Sequence, residues 1–187
     1  VQRSRTSCAT RAACSSDAVE PPAALVPTPG DSSFTLNTLR PAVGAPDVAN
    51  PVLSFYAKVG EDREAFMYYR KRPTRPDSTV LVRFRVSRDA LLTRPGGAPF
   101  APGDSILITI TLTDPTRLLL AFAPSGLRFS PSDPADLKLS FVETDEDLNG
   151  DGVVNSQDSA VQNLLAIWRR ETPSSRWVKQ SSLLTVG

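Results

Sequence analysis

The chain has 187 residues, with 21 Lys and Arg against 20 Asp and Glu, so its formal net charge is +1. A balance this close to neutral gives no bulk electrostatic preference for nucleic acid or for an acidic membrane surface. The absence of histidine removes the commonest general base, the partner of a catalytic serine and the commonest metal ligand. We therefore expect no enzymatic activity. The chain also lacks an apolar run of about 20 residues, which excludes a transmembrane helix within it.

Residues 1–50 are predicted to form an extended, Pro-rich N-terminal arm. The stretch E-P-P-A-A-L-V-P-T-P-G at 20–30 favours polyproline-like backbone and contains too little apolar surface to fold alone. We expect this arm to lie along a partner subunit. Residues 51–187 are predicted to form the folded domain.

Both cysteines, Cys8 and Cys14, lie near the start of the chain. Small residues before Cys14, with Ser-Ser-Asp and a Pro-rich spacer after it, resemble the start of a mature bacterial lipoprotein. The resemblance implies lipid attachment at Cys14 and peripheral association with a membrane. Arg11 departs from the pattern, and no apolar segment precedes it. A Cys8–Cys14 disulfide and two exposed thiols are the alternatives.

Short alternating segments separated by Pro, Gly and Asp turns predict an all-β fold. The predicted strands span 52–59, 64–72, 78–86, 106–113, 117–123, 127–130 and 137–142, and a long loop spans 90–103. In the two clearest strands one face is apolar. The residues on these faces are Val80, Val82, Phe84 and Val86, and Ile106, Ile108, Ile110 and Leu112.

Residues 147–158 read D-L-N-G-D-G-V-V-N-S-Q-D, which has the ligand spacing of a calcium-binding loop. Side-chain oxygens, and one backbone carbonyl at Val153, stand at the ligand positions. The predicted Ca²⁺ ligands are Asp147, Asn149, Asp151, Val153, Asn155 and Asp158. Gly152 stands where such a loop turns sharply, and Asp158 is one methylene shorter than the Glu of an EF-hand sensor. The alternative is a plain acidic turn without a metal.

The D-x-N-x-D-G-x-x-N-x-x-D form resembles the loop of dockerins, the calcium modules of secreted bacterial proteins. Dockerins carry two such repeats and this chain has one, so the resemblance implies ion binding but not cohesin binding. We expect a short helix near 156–163, a strand near 164–171 and a last strand at 177–186.

A second resemblance depends on motifs that follow one another in order. They are V-R-F-R-V-S-R-D-A-L-L, I-T-I-T-L, F-A-P-S-G-L-R-F-S-P, L-K-L-S-F, L-A-I-W and W-V-K. Over residues 79–178 this order resembles the sandwich domain of ankyrins, netrin receptors and many bacterial envelope lipoproteins. The resemblance implies an immunoglobulin-like β-sandwich, with residues 143–163 as an insertion that carries the calcium loop. It implies a structural or interaction module without catalytic residues.

We therefore expect a non-enzymatic structural subunit on the extracytoplasmic side of a bacterial membrane, in the periplasm or at the cell surface. Its partners would be other protein subunits of a membrane complex, for example a bioenergetic or photosynthetic one. The alternative is a calcium-braced carbohydrate-binding or adhesion module that uses exposed aromatic residues. The candidates are Tyr68, Tyr69, Trp168 and Trp177. Alternate aromatic residues on strands more often pack in the core or on a sheet face, and that interpretation is favoured for these four. The basic run at 68–75 is interpreted as a solvated hairpin end, so no nucleic-acid partner is expected. The alternative is a basic patch that faces a membrane or an acidic partner subunit.

Overall fold

The computed structural model describes residues 38–72 and 79–184 of the chain. Cys8, Cys14 and the first 37 residues of the predicted arm lie outside these ranges. Almost all regular structure in the described ranges is β-strand, and only one short helix, α1 Ser156–Gln162, interrupts it. The strands are β1 Val52–Lys58, β2 Arg63–Tyr68, β3 Val80–Val86, β4 Leu91–Thr93, β5 Ser105–Asp114, β6 Leu119–Ala123, β7 Arg128–Phe129, β8 Asp136–Leu139, β9 Trp168–Arg169 and β10 Val178–Lys179. The all-β expectation is confirmed.

The strands form several small antiparallel sheets. One three-stranded sheet has the order β1-β5-β6, and a second has the order β2-β3-β8. The remaining pairs are β4 with β7 and β9 with β10. The longest pairing runs from Val52 opposite Thr111 to Lys58 opposite Ser105, between β1 and β5.

The two three-stranded sheets contribute buried side chains to one apolar core. Burial alternates along β1 and β5, as the period of two predicts, with Phe55, Ala57, Ile108, Ile110 and Leu112 buried. Leu53 and Ile106, on the same faces, are half-buried. Phe55 of β1 and Phe84 of β3 lie in contact, with ring centroids 6.2 Å apart, so the core joins the two sheets. The apolar core residues are Phe55, Ala57, Ala65, Met67, Tyr69, Leu81, Val82, Phe84, Val86, Ala90, Leu91, Ile108, Ile110 and Leu112.

Strand β3 departs from simple alternation at one point. The register between β2 and β3 shifts after Met67, which pairs with Val82, so that Tyr68 pairs with Val80. Leu81 is the extra residue of this irregularity and is buried beside Val82. A bulge of this kind turns two successive side chains toward the same side. Val82, Phe84 and Val86 are buried as predicted, and Val80 is half-buried.

Several predictions about strands are wrong in extent. The strand predicted at 64–72 ends at Tyr68, and the one predicted at 137–142 ends at Leu139. Residues 91–93, predicted as part of a long loop, form β4, which pairs with β7 in an antiparallel arrangement. The strands predicted at 164–171 and 177–186 shrink to the two-residue strands β9 and β10. The helix predicted near 156–163 is confirmed as α1. No helix within the described ranges is long and apolar enough to cross a membrane.

Residues 38–50 lie against the strands. Val48 bridges to Tyr69, and the Ala49 amide donates to the carbonyl of Tyr68 at 2.8 Å. The Asn50 side chain donates to the Phe66 carbonyl at 3.1 Å and accepts from the Tyr68 amide at 2.9 Å. The segment that leads into β1 is therefore hydrogen-bonded along the edge of β2.

Candidate calcium-binding loop

A buried acidic residue, Glu143, anchors the segment that leads into the candidate loop 147–158. Glu143 is 6% exposed, and its Oε2 accepts from Arg72 Nη2 at 2.7 Å. Its carbonyl accepts from the Ala42 amide at 2.9 Å, and the Asp145 amide donates to the carbonyl of Arg40 at 2.8 Å. These contacts fix the start of the loop against residues 40–42 and against the segment that follows β2.

Asp147 folds the first half of the loop around its own carboxylate. Oδ1 accepts from the amides of Gly150 and Asp151, at 2.8 and 3.2 Å, and Oδ2 accepts from the amide of Gly152 at 2.8 Å. Gly152 has a φ of 85°, in the left-handed region that favours glycine. A carboxylate that accepts three backbone N–H groups holds a tight turn without help from another segment.

The next three polar residues repeat a shorter version of this contact. Asn149 Oδ1 accepts from the Asp151 amide at 2.9 Å, and Asp151 Oδ1 accepts from the Val153 amide at 2.8 Å. Asn155 Oδ1 accepts from the Gln157 amide at 2.7 Å. Each side chain caps the backbone two residues further on, as in an Asx turn. A carbonyl or carboxylate oxygen has two lone pairs, so each keeps capacity for a second partner.

Asp158 closes the loop onto its own beginning. It is 4% exposed, its Oδ1 accepts from the amides of Leu148 at 2.8 Å and Asn149 at 3.1 Å, and its Oδ2 accepts from the Asn155 amide at 2.8 Å. The hydrogen bond from the Asn155 backbone, supported by those from Asn149 and Leu148, holds the pKa of this carboxyl below its ordinary value. Asp158 also completes a capping box with Asn155 at the start of α1.

The predicted ligands thus lie in one compact, turn-rich segment that ends at the first turn of α1. Their donor types are three carboxylates, two amides and one carbonyl, which are the hard oxygen donors that Ca²⁺ prefers. Within residues 38–72 and 79–184, no three His, Cys, Asp or Glu side chains form a group able to hold a metal ion. The donor types fit Ca²⁺, but the carboxylates of Asp147, Asp151 and Asp158 do not converge as a metal-holding group and accept from backbone amides instead.

Sequence reasoning missed the anchor at Glu143, because its partner Arg72 is 71 residues away in the chain. Tyr69 was a candidate for an exposed aromatic residue, but it is 2% exposed, as the core-packing alternative expects. Its hydroxyl has no hydrogen-bond partner among the described residues. Burial raises the pKa of Tyr69, and the nearby charge of Glu143 adds to this effect. Alternation from Met67, which shares its face, was the signal that could have placed Tyr69 in the core.

The other aromatic candidates lie at the surface or partly covered. Tyr68 stacks on Phe66 with ring centroids 5.9 Å apart, and Trp168 is half-buried in β9. The guanidinium of Arg170 lies 4.6 Å above the ring of Trp177. Of the four aromatic candidates, Tyr69 is therefore buried, and the other three are half-buried.

No protein family model, curated protein or solved structure matches this chain. The resemblances to dockerin loops and to the ankyrin-type sandwich domain therefore rest on the sequence motifs quoted above.

Proposed function

We propose that this chain is a non-enzymatic structural subunit on the extracytoplasmic side of a bacterial membrane, braced by one Ca²⁺ ion in the loop 147–158. The observation that carries the proposal is the position of Asp158. This carboxylate is buried, and it holds amides from both ends of the loop at the start of α1. A loop closed in this way serves to fix a connection between two parts of a fold rather than to present a reactive group.

We propose that the β-body is an immunoglobulin-like sandwich. Two three-stranded antiparallel sheets that share one apolar core support this architecture. The contact between Phe55 and Phe84 supports it further, because facing sheets interdigitate their inner side chains. On this proposal the loop and α1 form an insertion that follows β8.

Calcium would be held by Asp147, Asn149, Asp151, Asn155 and Asp158, with the carbonyl of Val153 as a further oxygen donor. When bound, the ion would neutralise carboxylates that otherwise repel one another. A weakly binding loop suffices outside the cytoplasm, because extracellular modules bind calcium with dissociation constants of about 10⁻⁴ to 10⁻³ M.

We propose that the arm joins the body to neighbouring protein subunits of a membrane complex. Residues 38–50 are hydrogen-bonded to β2 and to residues 143–145, so the arm departs from a fixed point on the body. Lipid attachment at Cys14 would add a peripheral contact with the membrane. This arrangement suits an accessory subunit that clamps a neighbour.

The carbohydrate-binding alternative has less support. A sugar stacks on an open aromatic face, and Tyr69 is buried in the core. One face of Trp177 is covered by Arg170. The positions of Tyr69 and Trp177 favour a packing role for these aromatic residues over sugar binding.

Thermal unfolding with and without calcium tests the brace. A site with a dissociation constant near 10⁻⁴ M, in about 10 mM calcium, stabilises the folded state by about 2.7 kcal/mol. We expect the melting temperature to fall on addition of EDTA, and the double variant Asp147→Ala, Asp151→Ala to lose this dependence. The matched control is Asp89→Ala, Asp136→Ala, which removes two exposed carboxylates outside the loop. A wild-type melting temperature that chelation leaves unchanged contradicts the calcium brace.

Deletion of residues 1–37 tests the proposed clamp. The deletion spares the described contacts of residues 38–50, so we expect the body to melt as in the full chain. We expect the subunits that co-purify with the native protein in mild detergent to be lost. A companion variant, Cys14→Ser, removes any lipid while it keeps the arm, and therefore separates membrane attachment from protein contact. Truncated protein that still co-purifies with the same subunits would refute the clamp.

A further inference from the structure

A cleft opens beside the β9–β10 hairpin, away from the candidate calcium loop in sequence. Its volume is about 410 Å³, and three arginines, Arg169, Arg170 and Arg176, contribute to its lining together with Glu171. Volumes of this size are typical of sites for small molecules. Nothing in the proposed structural role uses this cluster of guanidinium groups.

The charges of the cleft do not cancel. Arg169 Nη2 pairs with Glu171 Oε1 at 2.6 Å, and both side chains are largely exposed. Within the described residues, no carboxylate lies at ion-pair distance from Arg170 or Arg176. Three guanidinium groups and one carboxylate leave the cleft with two net positive charges.

The guanidinium of Arg170 is held in place before any ligand arrives. It lies 4.6 Å above the ring of Trp177, and its Nη1 donates to the carbonyl of Pro173 at 3.1 Å. The turn beneath it is closed by the Ser175 amide, which donates to the carbonyl of Thr172 at 3.0 Å. A guanidinium has five N–H donors, so most of those on Arg170 remain available.

We propose that this cleft binds a dianionic oxyanion of the phosphate or sulfate class. The two uncompensated guanidinium groups match its two charges, and their planar donor forks suit bidentate contact with its oxygens. Stacking on Trp177 keeps Arg170 oriented, so less side-chain entropy is lost when the anion binds. Ser175 and Gln180 add polar side chains to the lining, and Val178 adds an apolar one, which accommodates an organic substituent on the anion.

Calorimetric titration of the full chain with sodium phosphate, at constant ionic strength, tests the proposal. We expect saturable binding that weakens about tenfold in Arg170→Gln and in Arg176→Gln, which is the effect of losing one charge-assisted hydrogen bond. The control Arg128→Gln removes an exposed arginine on β7, outside the cleft, and is expected to bind as the wild type does. Absence of saturation with millimolar phosphate, or equal weakening in all three variants, overturns the proposal.

A second experiment distinguishes a free anion from a lipid headgroup. Vesicles of phosphatidylcholine with and without phosphatidate are offered to the same variants in a flotation assay. Binding to phosphatidate vesicles that inorganic phosphate displaces, and that Arg176→Gln reduces, assigns the cleft to a headgroup. Phosphate binding without flotation assigns it to a soluble ligand. Flotation that phosphate leaves unchanged counts against the cleft as the binding site.

Discussion

The strand-rich part of the molecule and the segment 143–184 are stabilised in different ways. The apolar core is built from residues between 55 and 112. From residue 143 to residue 184, Val161 is the buried apolar side chain, and the other buried residues are Glu143, Thr144 and Asp158. The first region is therefore held mainly by apolar burial, and the second mainly by hydrogen bonds and two ion pairs, Arg72–Glu143 and Arg169–Glu171.

This difference has consequences for unfolding. Removing apolar surface from water contributes about 25 cal/mol per Å², whereas an intramolecular hydrogen bond contributes about 1 kcal/mol net. The strands should therefore set the global stability, while the loop, α1 and the β9–β10 hairpin open at lower cost. A ligand that binds the second region is therefore expected to slow its opening more than it slows the opening of the strands.

The largest expected effect on the free energy of unfolding comes from truncating a side chain in the apolar core. Ile110 of β5 is fully buried, and Ile110→Ala should lower the free energy of unfolding by about 2–5 kcal/mol, because it leaves a cavity. Leu107→Ala, on the opposite face of the same strand, is the matched control, since Leu107 is 44% exposed. Urea denaturation followed by circular dichroism measures both. Equal losses in the two variants would contradict the assignment of faces.

Val161→Ala provides the corresponding change in the second region. Val161 is 3% exposed on α1, and its truncation should cost less than Ile110→Ala, because it removes two carbon atoms rather than three and lies outside the apolar core. Hydrogen exchange should show faster opening of α1 while the amides of β5 keep their protection. A loss of protection in β5 would mean that the two regions unfold as one unit.

The same difference explains which parts of the fold were predictable. Strands β3 and β5 are long enough for alternation to mark both their position and their buried face. Strand β4 has three residues, and its partner β7 lies more than 30 positions along the chain, so local pattern carries no signal for it. The bulge at Leu81 depends on register with β2, which is a property of the pair and not of either strand.

The turns of residues 147–158 were predictable because their hydrogen bonds are local. Asp147, Asn149 and Asp151 bond to backbone groups within five residues, so their spacing in sequence is also their spacing in structure. The anchor between Arg72 and Glu143 was not predictable, because it depends on the folding of β2 and β8. The calcium ligands themselves remain a prediction.

Arg72 is the link between the two regions, and its removal gives the next largest effect. Its Nη2 donates to Glu143 and, at 3.2 Å, to the carbonyl of Gly44. Breaking a fully buried pair costs about 3–5 kcal/mol, but the Arg72 side chain is 35% exposed, so we expect about 2 kcal/mol for Arg72→Met. The loss arises because the Glu143 carboxylate stays buried without its partner.

A double-mutant cycle isolates this contact. Glu143→Gln and the double variant Arg72→Met, Glu143→Gln are measured by urea denaturation alongside Arg72→Met. The double variant should be less destabilised than the sum of the single variants, because no charge is then left unpaired. Additive losses would show that the pair does not couple the loop to the strands.

The smallest expected effect is a pH dependence that belongs to the strand region. Asp104 Oδ2 accepts from the Ala101 amide at 2.8 Å and pairs with Arg94 at 2.8 Å, at the turn that leads into β5. The backbone hydrogen bond from Ala101, followed by the contact with Arg94, lowers the pKa of Asp104 below its ordinary 3.8. A lowered folded-state pKa contributes stability that is fully present above 3.8 and is lost as the pH falls through the folded value. The difference in unfolding free energy between wild type and Asp104→Asn should therefore shrink in acid, measured by urea denaturation from neutral pH downward. A difference that stays constant over that range would mean that the Asp104 charge contributes nothing to the stability of the strand region.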